Sequence, residues 1–300
     1  MTNQDRGLDA LVEQIRRDRG FDGSQYKQSF LKRRLAVRMR ARGVDSFGEY
    51  QALLNVDADE YPRLMSALTI NLSYFFRDGD VFLSIRGDIL QPLIQQRSEA
   101  GRRRLDIWSA GCAGGEEPYS IAIMLWELLG SELSRWRLKI LATDIDDEAL
   151  RKAGSGKFND FSFRGVSDEF LRPYFIRQGE YHLIRPDLKQ LVTFRRHNLM
   201  SDTLPDAAPF DLILCRNVLI YLSRERQAQI LSLLHRALRQ EGHLVLGKTE
   251  IPQARTADLF RATHPRLHIY AKSKQEFVTG HFLRDAENRL HREGRDTPRY

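Results

Sequence analysis

The run Trp108-Ser109-Ala110-Gly111-Cys112-Ala113-Gly114-Gly115-Glu116-Glu117-Pro118-Tyr119-Ser120 sets three glycines and two glutamates between an apolar strand, Leu105 to Trp108, and a helix starting near Glu116. Glycine lets backbone turn sharply and approach a ligand closely. A glycine-rich strand-to-helix turn holds nucleotide-like ligands at the carboxyl edge of an α/β sheet. Phosphate, however, wants bare N–H groups and positive potential at a helix N-terminus. Two glutamates there repel it and favour a cationic ligand, such as the sulfonium and ammonium of S-adenosylmethionine. Asp144 follows a second apolar strand, where a carboxylate accepts both hydroxyls of a ribose. Its other reading is a helix N-cap, a task that Asp146 would do as well. Arg216-Asn217 and Tyr221 emerge from the buried run Asp211 to Cys215, and polar groups leaving such a stretch need partners or a ligand.

These residues need a scaffold, and the rest of the chain predicts one. Its 300 residues are 42% hydrophobic and 29% charged, enough for a sizeable core. The start, Met1-Thr2-Asn3-Gln4-Asp5-Arg6, lacks the apolar stretch of a secretory leader. The longest apolar run, Ile121 to Leu129, is interrupted by Glu127 and too short to span a bilayer. A cytoplasmic location is expected. Cys112 and Cys215 have no metal-ligand spacing, so they read as small buried hydrophobes, and no metal site is expected. A net charge of +7 suggests an acidic partner: nucleic acid, a membrane surface or an acidic protein.

Residues 1–85 read as an all-helical domain. Leu8, Leu11, Val12 and Ile15 have helical spacing, and Asp45-Ser46 caps a segment carrying Phe47, Tyr50, Leu53 and Leu54. Between them, Ser24 to Arg42 carries basic residues and no acid, with Lys27, Arg34, Arg38 and Arg42 on one stripe. That stripe is either a solvated face or, lacking compensating acids, a surface that docks a substrate. From residue 86 to 272, strands near 104–109, 138–143, 190–197, 210–215 and 243–247 alternate with helices near 116–130, 146–153 and 223–240. This predicts an α/β fold with a doubly wound, mostly parallel, Rossmann-like sheet. Phe260 to Lys272 suggests a terminal antiparallel pair. A hairpin turning at Gln178-Gly179 makes a small β unit at about 165–190. Residues 273–300 read as a loosely ordered polar tail.

The glycine-rich loop resembles the adenosylmethionine loop of the CheR-type chemotaxis methyltransferases, which methylate receptor glutamates. Four further segments resemble that family in order: Asn71-Leu72-Ser73-Tyr74-Phe75-Phe76-Arg77-Asp78, Ala142-Thr143-Asp144-Ile145-Asp146, Asn198-Leu199, and Cys215-Arg216-Asn217-Val218-Leu219-Ile220-Tyr221. The resemblance runs from about residue 10 to about residue 270. It implies a class I methyltransferase fold and S-adenosylmethionine as cofactor, with S-adenosylhomocysteine as product. Cofactor contacts fall on Asn71, Ser73, Arg77, Gly111, Glu117, Asp144, Asn198, Leu199, Arg216 and Asn217, with Asn198-Leu199 at the adenine. From its residue type alone, Asn198 reads better as a strand-end turn. Tyr221 lies near the transferred methyl; from guanidinium chemistry rather than the resemblance, Arg77 is expected to hold the substrate carboxylate bidentately. Leu72, Ser73 and Gly114 depart from commoner residues of the pattern. The short Gln178-Gly179-Glu180 turn resembles members that do not tether a receptor tail.

The resemblance further implies a monomer that acts on the cytoplasmic helical region of methyl-accepting chemoreceptors, with neither nucleic-acid binding nor membrane insertion. Two rivals are another methyltransferase of this fold, acting on RNA or on other proteins, and a non-catalytic adenosylmethionine-sensing scaffold. Against the first, Arg216-Asn217-Val218-Leu219 stands where base-amine methylation uses an Asn/Asp-Pro-Pro-aromatic tetrapeptide. Against the second, Arg77 and Tyr221 are present.

Overall fold

The computed structural model describes residues 3–69, 71–201, 203–253 and 256–273, so the tail expectation falls outside the described residues. Helices α1 (Asn3–Arg19), α2 (Gln28–Arg42), α3 (Phe47–Val56) and α4 (Glu60–Thr69) form an N-terminal bundle. Its core is the periodic apolar set: Leu8, Leu11, Ile15, Phe30, Leu31, Leu35, Tyr50, Leu64 and Leu68. The Ser46 hydroxyl caps α3 by accepting from Glu49 N, and Gly43 ends α2 at φ +68°. Helix α5 (Gly79–Ser84) continues through a π turn, Ile85–Leu90, into α6 (Gln91–Glu99).

The sheet follows. Strand β1 (Arg104–Ala110) leads to α7 (Glu116–Leu129), and β2 (Arg137–Asp144) to α8 (Asp147–Ser155). Next come β3 (Lys157–Phe158), α9 (Asp168–Leu171), β4 (Phe175–Gln178), β5 (Tyr181–Ile184), α10 (Pro186–Lys189) and β6 (Val192–Arg196). Last are β7 (Phe210–Cys215), α11 (Arg224–Ala237), β8 (Leu238–Leu246), β9 (Phe260–His264) and β10 (Ile269–Lys272). The main sheet has the order β6-β2-β1-β7-β8-β10-β9. Its first five members are parallel, and β10 runs antiparallel between β8 and β9. Every residue of β7 is buried, as a strand covered on both faces should be. The order reverses between β1 and β7, so the loops leaving those strands meet at the switch point where such sheets bind ligands.

Two local expectations change. The helix expected over 223–240 stops at Ala237, and β8 begins at Leu238, which pairs with Phe210. Gly242 therefore lies inside a strand, and a Cβ there would meet Phe210 O at 3.1 Å. The small β unit is also larger than a hairpin. Lys157–Phe158 pairs with β5, giving a three-stranded sheet in the order β3-β5-β4. A two-residue strand carries no period-two pattern long enough to read. No described helix is long and apolar enough to cross a membrane.

Candidate functional site

One pocket opens at the switch point, and all eleven residues expected to bind cofactor or act in catalysis line it. The first wall is the turn after β1. Gly111 sits at φ +80°, and a Cβ there would meet Val218 Cγ2 at 2.4 Å. The loops after β1 and β7 can therefore approach each other only with glycine at this position. Gly115, at φ +92°, caps α7 and packs against Ala153, where a Cβ would meet a methyl carbon at 2.8 Å.

The two glutamates of the turn diverge. Glu117 lines the pocket; its Oε1 accepts from Ser109 Oγ at 2.8 Å, and its Oε2 lies 3.4 Å from Arg216 Nη1. Burial pushes its carboxyl upward, partly offset by Arg216. Glu116 instead turns toward the appended sheet, where its Oε1 accepts from Ser162 Oγ at 3.0 Å. Only Glu117 can serve a ligand in this pocket.

Asp144 ends β2 and is 8% exposed. Its Oδ2 accepts from Ala113 N at 2.9 Å and its Oδ1 from Asp146 N at 3.0 Å. Each oxygen keeps a lone pair for a ligand hydroxyl. Burial raises its carboxyl above the ordinary range. Asp146, not Asp144, caps α8, accepting from Glu148 N and Ala149 N. Asp146 Oδ2 also receives Thr69 Oγ1 at 2.8 Å and Asn71 Nδ2 at 2.6 Å. Asn71 thus lines the pocket while its amide ties the helical bundle to the sheet.

Arg216 is similarly committed. Its side chain is 2% exposed; Nη2 lies 2.6 Å from Asp78 Oδ2 and donates to Arg77 O at 2.9 Å, leaving only Nε without a partner. Asn217 adopts φ +60°, a strained value for a side-chain-bearing residue, and its backbone N–H donates to Glu250 Oε2 at 2.8 Å. Asn198 Oδ1 accepts from Met200 N at 2.9 Å, so the turn reading of its residue type is realised. Ser73 and Leu199 line the pocket as well. Arg77 donates from Nη1 to Leu72 O at 3.0 Å and lies 5.8 Å from the centre of the Tyr74 ring. Tyr221 packs on Phe30, with ring centroids 4.9 Å apart.

Five participants were not expected from sequence. Tyr26, from the segment entering α2, lines the pocket, and burial followed by the charge of Asp144 raises its hydroxyl. Leu68 and Thr69 add the end of α4. His197 lines the pocket with a partnerless Nε2, and burial lowers its ring below the ordinary histidine value. Glu250, 4% exposed, braces the loop after β7 by accepting from Gly247, Asn217 and Ile220 N–H groups. An acid after the Gly247 strand end was the available signal for Glu250. The other four gave none.

The basic stripe is partly tied into the fold, although Lys27 and Arg42 remain exposed. Arg38 grips Glu60 with contacts of 2.7 Å to each oxygen, and Arg42 Nη2 lies 2.7 Å from Asp57 Oδ2. Lys27 Nζ donates to Ile220 O at 2.7 Å, and Arg34 lies over the Phe30 ring at 5.9 Å. The compensating acids come from α4 and the turn before it, outside the window that looked acid-free. The exposed basic residues of α2 are Arg33, Arg40 and Arg42.

Comparison with known proteins fits this arrangement. The family description "CheR methyltransferase, SAM binding domain" matches residues 71–266, and "CheR methyltransferase, all-alpha domain" matches residues 6–69. A chemotaxis protein methyltransferase of Listeria innocua is 35% identical over 79% of this chain and 86% of its own length. One from Salmonella typhimurium is 35% identical over 76% of this chain and 77% of its own. An uncharacterized 104.1 kDa protein of Rhodobacter capsulatus is 36% identical over 75% of this chain, which spans only 23% of that relative.

Proposed function

The chain belongs to the CheR methyltransferase family, with its S-adenosylmethionine-binding domain, and from that premise we propose that it esterifies glutamate carboxylates on the cytoplasmic helical region of chemoreceptors. The observation that carries the reading is the convergence of Glu117, Asp144, Arg77 and Tyr221 on one pocket at the switch point.

The residues present fit the cofactor. The donor set is anionic, with Glu117 and Asp144 acceptor-only while ionised, and Gly111 leaves room that a Cβ would take against Val218. Asp144 would take ribose hydroxyls, Glu117 the cationic end, and the Asn198-Leu199 segment the adenine. When bound, S-adenosylmethionine supplies an electrophilic methyl on a positively charged leaving group.

The protein's share of the work is positional. A glutamate carboxylate ionises near pH 4 in water, so it arrives at neutral pH as a nucleophile and needs no general base. Arg77, at the pocket edge, would hold that carboxylate with a two-pronged charge-assisted contact. Tyr221 and Tyr26 wall the pocket and displace water, which raises the attacking oxygen's effective concentration and reactivity. Arg216 and Asp78 neutralise each other behind Arg77, so Arg77 keeps its charge for substrate.

The test is incubation with labelled S-adenosylmethionine and receptor helical fragments, followed by mild base. Base-labile label is expected, because methyl esters hydrolyse there. Base-stable label would identify a methylated amine or base and overturn the reading.

A further inference from the structure

The motif segment 71–78 and the crossover between β3 and β4 meet outside the pocket. Phe75 N donates to Ser162 O at 2.8 Å, and the Phe75 and Phe163 rings stack at 5.1 Å with a 2° interplanar angle. Ser162 Oγ is held in turn by Glu116 of the glycine-rich turn. These contacts fix the next residue, Arg164. Its guanidinium carbon lies 4.1 Å from the Tyr74 ring centre and 4.3 Å from that of Phe161. Tyr74 lines the pocket and also carries Arg77, at 5.8 Å. Two guanidiniums therefore share one aromatic ring at the pocket edge.

Neither arginine forms an ion pair with a described carboxylate. Arg77 bonds to a carbonyl, and Arg164 is exposed and rests on rings alone. Like charges placed side by side repel, and stacking offsets that only in part. Such an arrangement is relieved by carboxylates, and by two better than one. On a helix, side chains three or four residues apart stand about 5–6 Å apart between Cβ atoms, a spacing that lets neighbouring acids reach neighbouring cations.

We infer that Arg164 is a substrate-positioning residue: it takes a second carboxylate, one helical turn from the glutamate that Arg77 presents for methylation, and so selects acidic helical segments. The inference rests on the glutamate-esterification reading above. It places an electrostatic contact with substrate at the junction of the pocket with the appended sheet. The exposed Phe161 supplies an apolar shoulder beside it.

The experiment compares the full chain with Arg164→Ala, Arg164→Lys and, as a control at the opposite edge of the sheet, Arg102→Ala. Each is assayed on a receptor helical fragment and on the same fragment with the acid one turn from the methylated glutamate changed to glutamine. Arg164→Ala is expected to raise KM about five- to tenfold, with kcat and adenosylhomocysteine affinity held within about twofold. The lysine variant should recover part of the loss. The fragment lacking the second acid should behave alike with wild type and with Arg164→Ala, so that the two losses do not add. An unchanged KM for Arg164→Ala, or losses that add in full, would overturn the positioning role while leaving esterification intact. Absence of any ester with the wild-type chain would overturn the parent reading and this inference together.

Discussion

At the scale of single residues, the pocket gathers acids whose protonation is set by burial. Asp144 and Glu117 are both displaced upward, so they begin to take up protons above the ordinary carboxylate range near pH 4. The ionised forms would hold the ligand's ammonium and ribose hydroxyls, so affinity for adenosylhomocysteine should fall as pH drops through those raised values. Calorimetry as the pH is lowered from neutral should then show weakening affinity and proton release on binding. The empty protein behaves in the opposite sense. A raised carboxyl binds protons more readily folded than unfolded, so protonating these two acids adds stability as pH falls. Asp144→Ala should weaken cofactor binding by about 1.5–3 kcal/mol, the range for hydrogen bonds to a charged group. Unchanged calorimetric affinity in a folded variant would remove Asp144 from the site.

At the scale of elements, the buried ion pair between α2 and α4 governs how the basic helix should respond to mutation. Glu60 is fully buried, held by Arg38 and by the Tyr50 hydroxyl at 2.6 Å. Arg38→Ala leaves that carboxylate with the Tyr50 hydroxyl and the more distant Arg42, at 3.6 Å, and should cost on the order of 3 kcal/mol, seen as a drop in the unfolding midpoint. Arg33→Glu and Arg40→Glu, on the exposed face, should shift it by less than about 0.5 kcal/mol. Equal effects at buried and exposed positions would refute this division. The hairpin supports another expectation. Strand β4 is an open edge, but its turn is only Gly179-Glu180, with Gly179 at φ +62°. An added peptide strand would find backbone partners there without the side-chain pockets that confer sequence selectivity. A receptor-tail pentapeptide should bind no better than a scrambled one in a fluorescence titration. Sequence-selective micromolar binding would contradict that.

These elements also show where the sequence was legible. Parallel strands covered on both faces announce themselves as apolar runs, and glycine-rich turns declare a close approach, so β1, β2, β7 and the site loops could be read directly. Asp146 as N-cap, with Asp144 left for a ligand, followed from local spacing alone. Pairings across the fold left no local trace. Glu60 lies 22 positions beyond Arg38, so the stripe looked acid-free although its acids were present. Tyr26 and His197 reach the pocket only through tertiary packing, which period and composition do not encode.

At the scale of the whole molecule, the pocket is walled by both halves. Tyr26, Leu68 and Thr69 come from the bundle; Gly111, Asp144 and Asn217 come from the sheet. The halves are stitched at two places beside that pocket. Lys27 N donates to Tyr221 O at 2.9 Å and Ser223 N to Gln25 O at 3.0 Å, while Arg226 Nε reaches Gln25 Oε1 at 2.8 Å. Across the opening, Thr69 and Asn71 hold Asp146. The consequence is one of timing. A spent cofactor gripped from both sides leaves when the stitched seam parts, so departure of the product, rather than bond making, should set the pace of repeated cycles. Rapid mixing should reveal a burst of about one ester per protein molecule before a slower steady phase. Gln25→Ala, which loosens one stitch without touching the pocket, should quicken that slow phase and leave the burst unaltered. A time course that is straight from its first instant would place the bottleneck in the chemistry instead.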